Sequence, residues 1–277
     1  MAMRGPAQAV CLGVALCCGP AAADEPPAPS PTSASGGDAR LVFSADGSRL
    51  TGGIGGGGGS VTWVGSLTPA AVLGAGAEYQ QISNAHWSTG NFSGWFTVGP
   101  QSKTHLYVEV HEGAGNIGDR GFNYSLAIAG VLSQLTSQVS VQLEERRIDI
   151  DTSHGNLAKL GLSFQVTPKL VASVSYADTL GGNLGTRLGT GRIDYTGSGF
   201  RAFAGIVGGP AAPATLNLLG QVVAPGPRLR EGFIGVGKAL QRTDWLLIGD
   251  YVDVGGTRRT YVSLVYTVHL QSHTRQP

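Results

Sequence analysis

Histidine and acidic side chains alternate along one segment of the sequence, "KTHLYVEVHEG", residues 103 to 113. His105, Glu109 and His111 share one face if this segment is a strand, and Glu78 is expected on an inward face two strands earlier. Side chains two residues apart on a strand lie about 7 Å from each other, which suits acid–base chemistry or a metal. Polar side chains on one strand face can also hydrogen-bond to each other, without any part in acid–base chemistry or metal binding. We favour this second interpretation and predict no catalytic residue, no metal site and no cofactor.

Glycine dominates the stretch "LTGGIGGGGGSVTWVGSLTP", residues 50 to 69, which contains a formal G-x-G-x-x-G from Gly53 to Gly58. A nucleotide loop of this type must open a helix, and a Walker loop needs Lys-Ser/Thr after the glycines. The residues from Ser60 to Leu67 instead alternate between polar and apolar, as in a strand. We predict that Gly52 to Gly59 lie at the external end of a strand, where glycine permits bending and close approach of neighbouring rings.

A second group of reactive residue types occurs in "SNAHWSTGN", where Ser83, His86 and Ser88 are predicted to share an external loop. The stretch resembles the serine–histidine–acid arrangement of lipid A deacylase barrels, which implies hydrolysis of lipid acyl chains. A triad is defined by geometry, and polar residues are ordinary in loops. A lipid hydrolase is therefore kept as an alternative function.

Charged residues also cluster in "EERRIDID", Glu144 to Asp151. They predict a rim that is solvated or touches lipopolysaccharide and its divalent ions, or a strand that runs beyond the bilayer. Arg192 with Asp194, and Arg187 with Arg201, are expected to line the interior, together with Gln142.

The two ends of the chain differ in composition from its body. Arg4, an apolar run and small residues at Ala21 and Ala23 predict a secretory signal over residues 1–23, cut after Ala23. Residues 24–38 are rich in Pro and Ser and predict a flexible leader. One domain is expected over 39–270, followed by a tail at 271–277.

Charge and cysteine content exclude several classes of function. All three cysteines lie in the signal segment, so the mature chain has no disulfide scaffold and no cysteine metal site. Loss of Arg4 leaves 18 basic residues against 18 acidic ones, and we expect no nucleic-acid partner. Charged residues make up 13% of the chain, against about 25% in soluble domains.

Segments of alternating hydrophobicity follow one another from residue 39 onward. We expect an outward apolar face that includes Leu106, Val108, Val110, Val139, Val141, Leu143, Leu160, Leu162 and Phe164. The inward face is expected to carry small residues that leave space in the lumen, namely Ser125, Ala127, Ala129, Ser140, Gly161 and Ser163. His105, Glu109 and Gln142 would keep that space wet.

Segment length and turn pattern together predict an all-β, transmembrane, antiparallel up-and-down β-barrel. The segments have about 9 to 12 residues, as strands that cross a bilayer do. Tight turns alternate with longer stretches at 83–90, 113–120, 150–155, 180–184 and 209–228, which we expect to be external loops. Thirteen strands are countable from a segment at 49–66 to the C-terminal one, and closure needs an even number. Adding residues 39–46 gives about 14 strands, with 12 or 16 as alternatives.

A secreted β-sandwich or a periplasmic barrel would show the same alternation. Strand length, turn pattern and polar faces poor in Lys and Glu favour the membrane. The signal peptide, the strands "KTHLYVEVHEG" and "TYVSLVYTVHL" and the cysteine-free body resemble bacterial outer-membrane β-barrel proteins, and within them the YaiO-like barrels. This resemblance implies the outer membrane of a Gram-negative cell, outer-membrane lipid and lipopolysaccharide, the barrel-assembly machinery and envelope export components as partners.

The predicted function is a pore or scaffold for solute passage or envelope polysaccharide export, without enzymatic activity. A structural or adhesive surface barrel is the third candidate. In the leading interpretation, Glu78, His105, Glu109, His111, Gln142, Arg192 and Arg201 line the lumen.

Overall fold

A computed structural model describes residues 39–98, 103–150, 153–182, 185–210, 228–254 and 257–270. These residues form fourteen antiparallel strands: β1 (Ala39–Leu50), β2 (Gly55–Thr68), β3 (Ala71–Ile82), β4 (Ala85–Val98), β5 (Thr104–Ile117), β6 (Arg120–Gln134), β7 (Val139–Ile150), β8 (Ser153–Thr167), β9 (Leu170–Gly182), β10 (Arg187–Gly197), β11 (Phe200–Pro210), β12 (Arg228–Ala239), β13 (Thr243–Val254) and β14 (Thr257–Leu270). No helix in this part of the chain is long and apolar enough to cross a membrane.

Each strand pairs with the next along the chain, and β14 pairs with β1 from Ala39↔Leu270 to Leu50↔Arg259. This closure removes both sheet edges and confirms the predicted up-and-down barrel of 14 strands. The end that carries Ala39 and Leu270 is called the terminal end, which faces the periplasm in outer-membrane barrels, and the opposite end is the outer end. The predicted signal segment, leader and tail lie outside the described residues.

The predicted long loops at 83–90 and 113–120 are wrong, because strands occupy all but two residues of each. In the segment predicted as a loop at 150–155, β7 reaches Ile150 and β8 starts at Ser153. β4 starts at Ala85 after a two-residue turn, and a second two-residue turn joins β5 to β6. Ser83 and Gly118 supply the positive φ values, 57° and 59°, that such tight hairpin turns require. The segment 209–228 runs mainly outside the described residues, since β11 ends at Pro210 and β12 starts at Arg228.

The glycine-rich stretch divides between a turn and a strand. β1 extends to Leu50, beyond the predicted end at residue 46, and Gly52 and Gly53 follow it with φ values of 87° and 80°. Gly55 to Gly59 open β2 at the outer end, as predicted. A Cβ on Gly58 would stand 2.5 Å from Gln80 Cδ, so a larger residue would displace that side chain. The glycines therefore serve backbone geometry, and the strand that follows them is not a nucleotide-binding helix.

Alternation gives the barrel an apolar outer face. Val108 is 42% exposed and Leu143 is 51% exposed, whereas Tyr107, next to Val108, is 3% exposed. The predicted outward residues of β5, β7 and β8 all lie on this face, because residues directly opposite each other in the ladders point to the same side. Large apolar side chains exposed in this way are suited to lipid contact.

β6 presents the opposite face from the one predicted. Its large residues, Phe122, Tyr124, Leu126 and Ile128, are buried inside the barrel, and Ser125, Ala127 and Ala129 therefore face outward. The register with β5 sets this orientation, since Gly130 lies opposite the inward Tyr107. A Cβ on Gly130 would stand 2.3 Å from Tyr107 Cζ, so the ring fits only over glycine. The small residues of β6 consequently leave no space in the lumen.

Replacing Gly130 with valine is expected to destabilise the barrel by about 1–3 kcal/mol, the usual cost of overpacking. The added side chain would displace the Tyr107 ring, which stacks on Trp95 at a centroid distance of 4.6 Å. Urea titration of the refolded protein measures the difference. Gly232→Val is the matched control, because a Cβ there meets no atom within 4 Å. An equal loss of stability in both variants would contradict the steric explanation.

Two apolar clusters line much of the inner wall. The first belongs mainly to β3–β7 and consists of Leu50, Ile82, Ala85, Trp87, Tyr107, Phe122, Tyr124, Leu126, Ile128 and Ile150. The second belongs to β11–β13 and consists of Phe203, Val207, Leu229, Phe233, Leu246, Ile248, Val252 and Val254. Strand ends such as Ile150 and Val254 place both clusters largely toward the outer end. The polar residues of the interior lie between and below them.

Candidate functional site

Seven of the residues predicted to line the lumen point into the barrel, whereas Arg187 does not. The strand register shows which side of the wall each side chain is on. Glu78 lies opposite the buried Thr89, and Arg201 lies opposite Gly237, which is at an inward-facing position. The inward residues are Glu78, His105, Glu109, His111, Gln142, Arg192 and Arg201. Their part in solute passage stays a prediction.

The acidic and histidine residues predicted to lie together occupy two separate places on the inner wall. Glu109 Oε1 and His111 Nε2 lie 2.5 Å apart, and Glu78 interacts electrostatically with His111 across β4. His105 lies nearer the terminal end, where its Nδ1 is 3.2 Å from Thr97 Oγ1. Among the residues that the structure describes, no three His, Cys, Asp or Glu side chains gather to hold a metal.

Gln142 belongs to a buried network that the sequence did not reveal. Its Nε2 donates to Tyr107 Oη at 2.7 Å, and that hydroxyl donates to Glu144 Oε2 at 2.6 Å. Arg146 forms an ion pair with the same carboxylate. The Glu144 side chain has no exposed surface. A fully buried charge is stable only when it is paired in this way, so the network fixes β5 against β7.

The predicted charged rim at 144–151 is therefore only partly present. Glu144 and Arg146 face the interior, because their parity on β7 matches that of Gln142. Arg147 Nε and Asp149 Oδ2 form an outward pair at 2.9 Å, which suits a solvated rim. Asp151 lies outside the described residues.

Two arginines on neighbouring strands occupy different levels of the interior. Arg192 binds Asp194 with two contacts, Nη2–Oδ1 at 2.7 Å and Nε–Oδ2 at 2.9 Å, and its guanidinium lies 4.2 Å from the Phe203 ring centroid. Arg201 lies at the terminal end and interacts electrostatically with Asp244. The prediction that Arg187 lines the lumen is wrong. It pairs at 3.1 Å with Asp178 and its side chain is 62% exposed, because the β9–β10 register turns both residues outward.

A second feature missing from the predicted site is a buried group of charges on β1, β12, β13 and β14, here called the carboxylate cluster: Asp46, Glu231, Asp250 and Arg259. Glu231 is 5% exposed, and Asp250 and Arg259 are each 6% exposed. Arg259 interacts electrostatically with all three carboxylates. Three carboxylates face one guanidinium, so the cluster has an excess of potential negative charge.

Several polar atoms of the carboxylate cluster have no hydrogen-bond partner among the described residues. They are both carboxylate oxygens of Glu231, Asp250 Oδ1, Asp46 Oδ2 and Arg259 Nε. The other oxygen of Asp46, Oδ1, accepts from Gln80 Nε2 at 2.9 Å. Buried polar atoms are nearly always paired, because an unpaired one loses its hydration without compensation. The carboxylate cluster is therefore incompletely satisfied by the residues that the structure describes.

The serine–histidine stretch faces the outside of the barrel. His86 and Ser88 lie on the outer face of β4, since Ala85, Trp87 and Thr89 are buried within. Asn116 Nδ2 lies 3.5 Å from His86 Nε2. Among the described residues, no serine forms a hydrogen bond with His86. A nucleophile needs that contact with its base, so the triad geometry is incomplete.

No protein-family model matches this chain, and no curated protein matches it. Solved structures do match its fold. The CymD monoaromatic hydrocarbon channel is 11% identical, with a TM-score of 0.60, over 89% of this chain and 92% of that one. The Pseudomonas putida toluene transporter TodX is 10% identical, with a TM-score of 0.55, over 92% and 93%. A bacterial polysaccharide outer membrane secretin is 11% identical, with a TM-score of 0.55, over 84% and 98%. The chain thus has the fold of outer-membrane β-barrel channels.

Proposed function

We propose that this protein is an outer-membrane channel that passes small solutes and prefers cations. One observation carries the proposal: free carboxylate oxygens of Glu231 and Asp250 are buried inside a closed barrel. A purely structural barrel gains nothing from three buried carboxyl groups around one guanidinium, whereas a channel uses their oxygens to replace the hydration of a passing ion. The apolar outer face supports a location in the outer membrane.

A YaiO-like barrel that exports envelope polysaccharide would also be a channel, but for a much larger substrate. The two apolar clusters occupy much of the inner wall toward the outer end. A hydrated sugar polymer would pass buried Phe122 and Phe233, whose side chains offer no hydrogen bonds to its hydroxyl groups. This favours small solutes over a polymer.

Lipid hydrolysis is the second candidate, because the outer face brings His86 and Ser88 near Glu112 and Ser125. Ser125 Oγ donates to Glu112 Oε1 at 2.8 Å, so the carboxylate is directed to a serine and not to the histidine. Acyl transfer by such a triad requires that the acidic side chain be hydrogen-bonded to the histidine, which acts as the base. The channel therefore remains the leading proposal.

Reconstitution into a planar bilayer tests the channel. The purified protein is expected to give discrete conductance steps in potassium chloride, and Glu109→Gln is expected to change their size by altering the charge on the inner wall. The same preparation, incubated with lipopolysaccharide, is expected to leave its acyl chains intact. A silent bilayer together with acyl release that His86→Ala abolishes would establish the hydrolase instead.

A further inference from the structure

A polar groove lies on the outer wall of the barrel, toward the outer end of β4, β5 and β6. Its volume is about 720 Å³, within the range of ordinary ligand sites. It is separate from the interior described above, and an inference from it does not depend on channel activity.

Strand register arranges the groove in three rows. The row nearest the outer end is His86–Asn116–Gly121, and the next is Ser88–Ala114–Asn123. The third is Gly90–Glu112–Ser125, with Asp149 of β7 opposite Ser125. Small residues at the centre and edges leave a depression, and longer polar side chains surround it.

The row directly below the groove is apolar. It consists of Phe92, Val110 and Ala127, with Phe92 49% exposed and Val110 41% exposed on the outer face. Ser88 lies opposite Tyr79, an exposed aromatic residue of the kind found where an apolar band meets water. The groove therefore begins where the acyl chains end, at the level of the lipid headgroups.

The polar groups of the groove suit a sugar better than a phosphate. Imidazole, hydroxyl and amide groups both donate to and accept from hydroxyls, and carboxylates accept from them. The two carboxylates, Glu112 and Asp149, would repel a phosphate, and Asp149 engages the neighbouring Arg147 at 2.9 Å. The groove lining contains no Lys or Arg.

We propose that this groove binds the sugar headgroup of a glycolipid in the outer leaflet of the outer membrane. The acyl chains of that lipid lie on Phe92, Val110 and Ala127, and its sugar hydroxyls contact Glu112, Asn123 and Ser88. The apolar row fixes the ligand as lipid-borne, because a free sugar would gain nothing from it.

Native mass spectrometry of the detergent-purified full chain tests the proposal, with truncated-core lipopolysaccharide stripped of its phosphate groups as the probe. Wild type is expected to retain one lipopolysaccharide molecule. Glu112→Ala combined with Asn123→Ala is expected to lower retention about tenfold, as follows from the loss of two or more hydrogen bonds. Asp253→Ala, an outward residue near the outer end of β13, is the control and should retain the lipid. Heat-modifiable gel migration shows that each variant is folded.

Four results would overturn the proposal. Equal retention by wild type and the groove variant would mean that the lipid binds elsewhere. Equal retention of phosphatidylglycerol would show that the sugar is not recognised, and equal binding of the acyl-free core oligosaccharide would show that the lipid is not required. Release of acyl chains by wild type, abolished by His86→Ala, would make the groove a hydrolytic site.

Discussion

Replacing Glu231 and Asp250 with their amides is expected to abolish most of the preference of the channel for cations. Both carboxylates are more than nine-tenths buried and have oxygens without a hydrogen-bond partner among the described residues. A unit charge within a few ångströms of an ion in such a site contributes on the order of 1 kcal/mol or more. Loss of the negative charge that this pair of acids carries should therefore lower the ratio of potassium to chloride permeability by about tenfold.

The reversal potential in a potassium chloride gradient measures this ratio for the double variant, Glu231→Gln with Asp250→Asn. The amides match the carboxylates in shape, so the barrel is expected to fold, and Arg259 keeps the Asp46 carboxylate as its counter-charge. Glu145→Gln with Asp253→Asn removes the same charge from the outer face and serves as the control. Unchanged selectivity in the inner variant, with conductance intact, would show that ions do not pass the carboxylate cluster.

Arginine in place of Val108 is expected to destabilise the barrel by about 2–4 kcal/mol, the cost of a charge near the centre of the lipid-facing band. Val108 lies between Leu106 and Val110 on the exposed face of β5, and all three are more than 40% exposed. The guanidinium would have to leave water for hydrocarbon or distort the local bilayer. Urea titration in lipid vesicles measures the loss in the free energy of unfolding.

Gln142→Arg is the matched control on the inner wall. Gln142 Nε2 already lies 3.2 Å from Glu144 Oε2, so an arginine there can donate to the same carboxylate. Its cost is expected to be below that of Val108→Arg by at least 1 kcal/mol, as lumen substitutions are tolerated better. Equal costs for both variants would contradict the assignment of the two faces.

The sequence by itself was enough to predict the architecture. Long alternating segments, tight turns and the requirement for an even number of strands led to a closed 14-strand barrel. The alternation also identified the outer face of β5, β7 and β8, because charged or amide residues such as Glu109, Gln142 and Lys159 occupy the other face. The inward positions of Glu78, His111 and Arg192 follow from the same parity.

Tertiary structure alone decided the face of β6, the length of the loops and the composition of the polar interior. Neither face of residues 121–130 carries a charge, so their orientation comes from the register that places Gly130 under Tyr107. The loops are shorter than predicted because polar residues such as His86 belong to the β4–β5 ladder. Hydrophobicity alone does not reveal such pairing.

The carboxylate cluster was missed for a related reason. Glu231 and Asp250 stand in strands that carry apolar and charged residues on both faces, so alternation does not fix their direction. Glu231 is 28 residues away along the chain from Arg259, and Asp46 lies near the other end of the barrel domain. The β12–β13 and β13–β14 ladders bring Glu231, Asp250 and Arg259 together. Closure of β14 on β1 adds Asp46, because pairing between the first and last strands is a long-range contact that no local pattern encodes.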